Sequence, residues 1–480
     1  MRQRASLWVL TCCALMASWS AAAVAAVKLP AIIGDNMVLQ RGQPVPIWGW
    51  ADKGEEVTMA VAGQSLAAKA DDNGCWKVVL DKLDVGEPLT MTVKGSSGST
   101  LALKNILVGE VWVGSGQSNM EMDVRSSRNA AQEIAAAKYP RIHLFTVAKK
   151  KAAEPQTDCT GQWAECSPST VPGFSAAAYY FGRQLHKELN VPVGLIHSSW
   201  GGSGASYWVS RKMLKSIPAL KPLAEGEASY MYNGMIAPLI PYAIRGVLWY
   251  QGEANVGAAY QYRTLFPALI ANWRANWGQG DFPFGFVQIA PFAGYSDDWG
   301  MSPAACAELW EAQAMTLTAS PNTGMVVTTD LADVDKIHPK NKDYVGIHPT
   351  NKQDVGRRLA LWALAKVHGR DLVYSGPMYK SMTVEGNKIR LRFDHIGGGL
   401  IASDGKPLTH FTIAGADKQF VPAVATIDGN ELLVQSDRVA QPVAVRFAWR
   451  DDATPNFANK NGLPTSPFRT DAWKGVTESK

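Results

Sequence analysis

The stretch Val108-Gly-Glu-Val-Trp-Val-Gly-Ser-Gly-Gln-Ser-Asn-Met120 is an apolar β-type run that stops at two glycines and continues into a polar Gln-Ser-Asn. Glycine alone makes a sharp turn at a strand end cheaply, because it reaches positive φ without a Cβ penalty. The run therefore predicts a strand, a tight turn and a helix start, with Ser118 on the turn. Open α/β sheets gather ligands over the carboxyl ends of their strands, which makes a serine there a candidate nucleophile. A serine ahead of a helix can equally be a plain cap, so the rest of the chain has to decide.

Residues 1–26 read as a secretory leader, with Arg2 and Arg4, an apolar run from Ala5 to Trp19, and small residues around Ala23-Val-Ala25. No basic stop signal follows, so the expectation is a cleaved signal peptide, export to the periplasm or the exterior, and no membrane span in the mature chain. A formal net charge of +5 over 480 residues, with no basic stripe interleaved with aromatics, argues against a nucleic-acid partner. The cysteines beyond the leader are Cys75, Cys159, Cys166 and Cys306. In an oxidising compartment the turn-rich loop from Cys159 to Cys166 suits a small disulfide, whereas its spacing does not suit zinc.

From residue 27 to 105, short alternating runs such as Glu56-Val-Thr-Met-Ala-Val61 are cut by Gly, Pro and Asp-Asn-Gly, which predicts a β-sandwich domain. From 106 to 369 the text changes to apolar runs alternating with helical segments. The strand candidates are Leu107–Val113, Arg141–Val147, Val193–His197, Gly246–Tyr250, Phe284–Ile289 and Met325–Thr329; the helix candidates are Ala176–Asn190, Tyr260–Trp277, Ala304–Ala319 and Asn351–Val367. That alternation predicts a parallel sheet covered on both faces. From 370 to 480 the pattern is β-like again, for a second all-β domain.

A serine nucleophile needs a base, and the base an orienting acid. His143 and His197 fall inside apolar strands, and His186 and His368 in helices with solvated neighbours. A local duplication supplies two better candidates: Ile337-His-Pro-Lys-Asn-Lys-Asp-Tyr-Val-Gly346 is followed at once by Ile347-His-Pro-Thr-Asn-Lys-Gln-Asp-Val-Gly356. Asp335 stands three residues before His338, a spacing that lets a carboxylate hold one ring nitrogen while the other faces out. His348 remains the alternative base, with Asp330, Asp333 or Asp335 as its acid. Donors for an oxyanion are available from the Ser118 N–H and from two further strand ends, Ser198-Ser-Trp-Gly-Gly202 and Trp249-Tyr-Gln-Gly-Glu253, where Gln251 can present an amide.

Gly116-Gln-Ser-Asn-Met120, Ser199-Trp-Gly-Gly202, Trp249-Tyr-Gln-Gly-Glu253 and Ile337-His-Pro-Lys-Asn-Lys342 resemble, in order, the blocks of the sialate O-acetylesterase-like branch of the SGNH (GDSL-type) hydrolases. Asp35-Asn-Met-Val-Leu-Gln40 and Pro467-Phe-Arg-Thr-Asp471 extend the resemblance over nearly the whole chain beyond the leader. It implies a flavodoxin-like three-layer α/β domain with all-β domains before and after it. It also implies Ser118 as nucleophile, an Asp-His pair from the last block, and an oxyanion hole from Ser118, Gly201 or Gly202, and Gln251. The activity implied is removal of O-acetyl groups from mono-, oligo- or polysaccharides, with no metal or organic cofactor. A second reading is a carbohydrate-binding protein on a degenerate hydrolase scaffold. A lipase or thioesterase is disfavoured, because no long apolar lid is present and no glycine follows Ser118 by two residues.

Overall fold

The computed structural model describes residues 27–337 and 345–478. Its central feature is one long strand, β1 (Thr100–Gly116), whose exposure alternates over its first six residues and then gives way to an uninterrupted buried run. The alternating half pairs antiparallel with Leu89–Gly95, one face to water. The buried half lies between two parallel neighbours and is covered on both sides, as parallel strands must be. The change of sequence pattern near residue 106 is thus a change of environment along a single strand.

Six more strands complete the core sheet: β2 (Tyr139–Thr146), β3 (Trp163–Cys166), β4 (Val193–Ser199), β5 (Gly246–Tyr250), β6 (Phe284–Val287) and β7 (Thr323–Val326). Their order is β7-β6-β5-β1-β4-β2-β3, parallel except for β3. From β1 the chain runs out to one edge, returns beside β1 as β4, and crosses to the other side as β5. The carboxyl ends of β4, β1 and β5 therefore lie side by side where the winding changes direction, the position at which such sheets bind ligands.

Five helices are used below: α1 (Ser118–Glu121), α2 (Ala176–Leu189), α3 (Ala259–Trp277), α4 (Ala304–Ala319) and α5 (Lys352–Lys366). Trp112 on β1 meets Phe181 of α2 and Trp362 of α5 edge-on, at ring centroid separations of 5.0 and 6.2 Å. Trp249 on β5 is in register with Ser115, three positions from Trp112, so its side chain leaves the opposite face. There it packs on Phe266 and Trp273 of α3. The hydrophobic cluster continues without a break into the N-terminal strands, taking in Val38, Ile47, Val57 and Trp76. The C-terminal strands have a cluster of their own around Ile389, Leu391, Phe411, Leu432 and Phe447. They dock through Arg469, which pairs with Glu311 of α4 at 2.8 Å.

Cys159 and Cys166 are free thiols, which corrects the expected bridge. Both are absorbed into the hydrophobic cluster, and burial pushes each thiol up to about 12. Among the described residues no helix is long and apolar enough to cross a membrane. The leader at 1–26 lies outside the described residues.

Candidate active site

Gly116 ends β1 at φ +136°, and a Cβ there would lie 2.1 Å from the Tyr250 carbonyl oxygen, so no other residue fits this close approach. The turn that follows is tied to both neighbouring strands. Gln117 N–H donates to Tyr250 O (3.0 Å) and Trp200 N–H donates to Gly116 O (3.1 Å). The Gln117 side chain accepts from the N–H groups of Gly252 and Ala254, each at 3.3 Å. Ser118 is thereby presented as the first residue of α1, half-buried at the floor of a cleft.

That cleft, about 480 Å³, is lined by Ser118, Glu121, Met122, Asp123, Ser126, Lys149, Gly201 and His348. A larger groove of about 840 Å³ beside Arg263, Pro267 and Ala271 contains no histidine, so volume alone does not select the site. Gly201 comes so near that a Cβ on it would sit 3.5 Å from Ser118 Cβ. Its N–H points into the cleft and donates to Glu121 Oε2 at 2.5 Å, while Glu121 Oε1 pairs with Lys149 Nζ at 2.5 Å. Gly202 adopts φ +73° with open space beside it, completing the turn.

His348 lines this cleft together with Ser118. Burial, with the Lys352 ammonium adding to it and Glu121 opposing, holds its imidazole down at about 4, so it is neutral at ordinary pH. His338, the other copy, lies outside the described residues. Asp335 is exposed and does not line the cleft. Asp330 forms a two-pronged pair with Arg358 (2.7 and 2.5 Å). Asp333 accepts from Thr350 N–H (3.1 Å) and Thr350 Oγ1 (3.2 Å), two residues past His348. Among the described residues no carboxylate hydrogen-bonds the His348 ring.

Gln251 is fully buried rather than cleft-lining. Its Nε2 donates to Ser203 O (3.2 Å) and Asn255 Oδ1 (2.7 Å), and its Oε1 accepts from Tyr262 (3.0 Å). Both amide protons are spent, so its action on the site runs through the Trp200–Ser203 turn that it anchors. Glu121 and Lys149 were missed at the sequence level because nothing in their spacing marks them: they meet only when the turn after β1 and the segment after β2 fold together. Trp112, Trp208 and Trp249 are core residues, and Trp200 sits half-buried beneath Lys149, whose ammonium is 5.4 Å from the ring centroid.

Residues 108–358 match the family model described as "Carbohydrate esterase, sialic acid-specific acetylesterase". The chain is 30% identical to the sialate O-acetylesterase of Homo sapiens, over 92% of either chain. It is likewise 30% identical to that of Rattus norvegicus, over 88% of this chain and 89% of the relative. A crystal structure of a carbohydrate acetylesterase from Xanthomonas citri superposes with a TM-score of 0.85 at 39% identity, covering 93% of this chain and all of that one. A serine on a glycine turn, a histidine in the same cleft and these relationships lead to one conclusion: the chain is an esterase and belongs to the sialic acid-specific acetylesterase family of carbohydrate esterases.

Proposed function

We propose that this esterase removes O-acetyl groups from sugars, with Ser118 as nucleophile and His348 as base, on a flavodoxin-like three-layer sheet. The observation that carries the reading is the shared cleft: Ser118, His348 and Gly201 border one space large enough for a sugar ring and its acetyl group. Neutral His348 takes the Ser118 proton as the alkoxide attacks the acetyl carbonyl. The Ser118 and Gly201 N–H groups stabilise the oxyanion, each such donor being worth roughly a hundred- to a thousandfold in rate. The carbonyl oxygen takes over the Gly201 N–H from Glu121 when substrate enters. The imidazolium then protonates the sugar oxygen as its bond to the acetyl carbon breaks, freeing the sugar hydroxyl, and water activated by the same ring hydrolyses the acetyl-enzyme to release acetate.

Asp333 serves this pair by holding the loop at Thr350 rather than by touching the ring. The substrate class follows from the family and from the relatives' names: an O-acetylated sialic acid or another acetylated mono-, oligo- or polysaccharide. The leader at residues 1–26 supports export, which would bring the enzyme to such sugars outside the cytoplasm.

Acetate release from O-acetylated sialic acids and from acetylated xylan and xyloglucan, alongside 4-nitrophenyl acetate hydrolysis, tests the reading. Ser118→Ala and His348→Ala are each expected to lose on the order of a thousandfold or more in kcat, and His338→Ala to retain activity. An active His348→Ala with an inactive His338→Ala would return the base to the first copy of the motif.

A further inference from the structure

Beneath the cleft lies a group of buried polar side chains that the reaction itself does not use. Asn119, next to the nucleophile, is fully buried, as is Lys352 at the start of α5, and Glu253 after β5 is nearly so. Asn119 Nδ2 donates to Glu253 Oε1 at 2.5 Å and to the carbonyl oxygen of Ile347 at 2.9 Å. Lys352 Nζ donates to Asn119 Oδ1 at 2.6 Å and to the carbonyl oxygen of Pro349 at 2.8 Å, and it stands 5.3 Å from the Tyr250 ring centroid. Ile347 and Pro349 are the two neighbours of His348. Both carbonyls flanking the base are therefore gripped by a cluster centred on the residue beside the nucleophile.

We propose that Asn119, Lys352 and Glu253 form a buried strut that sets the distance and direction of His348 relative to Ser118. This rests on His348 being the base. An ammonium taken wholly out of water costs several kcal/mol unless each proton finds a partner, so apolar packing would fill the space more cheaply. Here two donors meet oxygen and the ammonium also faces an aromatic ring. The strut spans three separate segments: the turn after β1, the turn after β5 and the loop carrying His348. That convergence orients a base within the small tolerance a proton transfer allows. Lys352 also acts on His348 through charge, as a buried cation four residues further along the chain. Glu121, paired to Lys149, acts on the ring with the opposite sign, and Asp123 lines the same cleft; Asp333 and Glu253 act on Lys352.

The test is the pH dependence of 4-nitrophenyl acetate hydrolysis by wild type, Asn119→Ala, Lys352→Met and His348→Ala, with thermal unfolding of each. Asn119→Ala and Lys352→Met are expected to lower kcat ten- to a hundredfold while KM changes less than threefold. Lys352→Met is also expected to move the acid limb of kcat/KM to higher pH, because the cation that disfavours the imidazolium is gone. Should Lys352→Met not fold, Lys352→Gln, which cannot reach both oxygens, carries the same expectations. If His348→Ala is inactive while the folded strut variants keep wild-type kcat, or while Lys352→Met lowers it with the acid limb unmoved, the strut is overturned and the base assignment stands. Activity surviving in His348→Ala overturns the base assignment and the strut with it.

Discussion

Ser118 and Asn119 are adjacent in the chain and face opposite worlds. Ser118 looks into an open cleft whose neighbours Glu121, Asp123 and Lys149 reach solvent, Glu121 pairing with Lys149 and Asp123 with Arg125. Asn119 looks down into a dry layer where Glu253 and Lys352 are held by short hydrogen bonds. Low dielectric makes interactions strong below and water makes them weak above. The platform is therefore the rigid half, and the cleft the adaptable half, which suits an enzyme that must hold its nucleophile still while a bulky sugar comes and goes.

The largest expected effect comes from breaking the platform where it is tightest. Gly116→Ala forces a methyl group to within about 2.1 Å of the Tyr250 carbonyl, at a φ that side chains rarely adopt. Urea unfolding is expected to show a loss of roughly 3–5 kcal/mol, with activity abolished. A loss below about 1 kcal/mol would mean that the turn yields, and that the lower half is not rigid.

The second effect is a pH slope confined to the buried half. Burial lowers Lys352 from 10.5 to about 7, against the pull of Glu253 and Asp333. Between pH 7 and 9.5 the unfolded chain keeps a proton that the folded chain has released. Stability from this group therefore rises with pH through that window and falls away as pH drops towards 7. Lys352→Met removes the contribution, so wild type is expected to gain on the variant as pH climbs. Parallel curves would mean that Lys352 titrates as an exposed lysine does, and that the layer is wet.

The cleft side gives a smaller effect of opposite sign. Glu121 occupies the Gly201 N–H that the proposed oxyanion needs. Glu121→Ala is expected to raise kcat/KM severalfold and to make acetate a tighter inhibitor, since a free carboxylate can enter the vacated place. A slower enzyme would show that Glu121 belongs to the machinery rather than standing in for substrate.

This contrast also explains what could be read from the chain in advance. Strands and helices follow from local periodicity: Gly246–Tyr250 forms as expected, and the helix at Ala176–Asn190 ends one residue early. The glycine turn at Ser118 is legible because only one residue type tolerates its geometry. The strut is not, because Asn119, Glu253 and Lys352 lie far apart in the chain and meet only through the sheet order. Gln251 illustrates the converse. Its place at a strand end suggests a donor facing substrate, but Asn255 and Ser203 lie within reach and use its amide first.

The smallest expected effect separates spacing from environment. Asp335 stands at the spacing from His338 that favours a carboxylate-imidazole pair, yet it is exposed, whereas Asp333 grips Thr350 through backbone and hydroxyl. A carboxylate accepting two hydrogen bonds in a half-buried loop carries roughly 1–3 kcal/mol. Asp333→Ala is therefore expected to lower kcat by loosening the loop that carries His348, with a modest loss of stability. Asp335→Ala is expected to stay within about 0.5 kcal/mol of wild type and to keep its kcat. If the rates reverse, with Asp335→Ala crippled and Asp333→Ala active, the acid belongs to the first motif copy, and the working half of the site lies with His338.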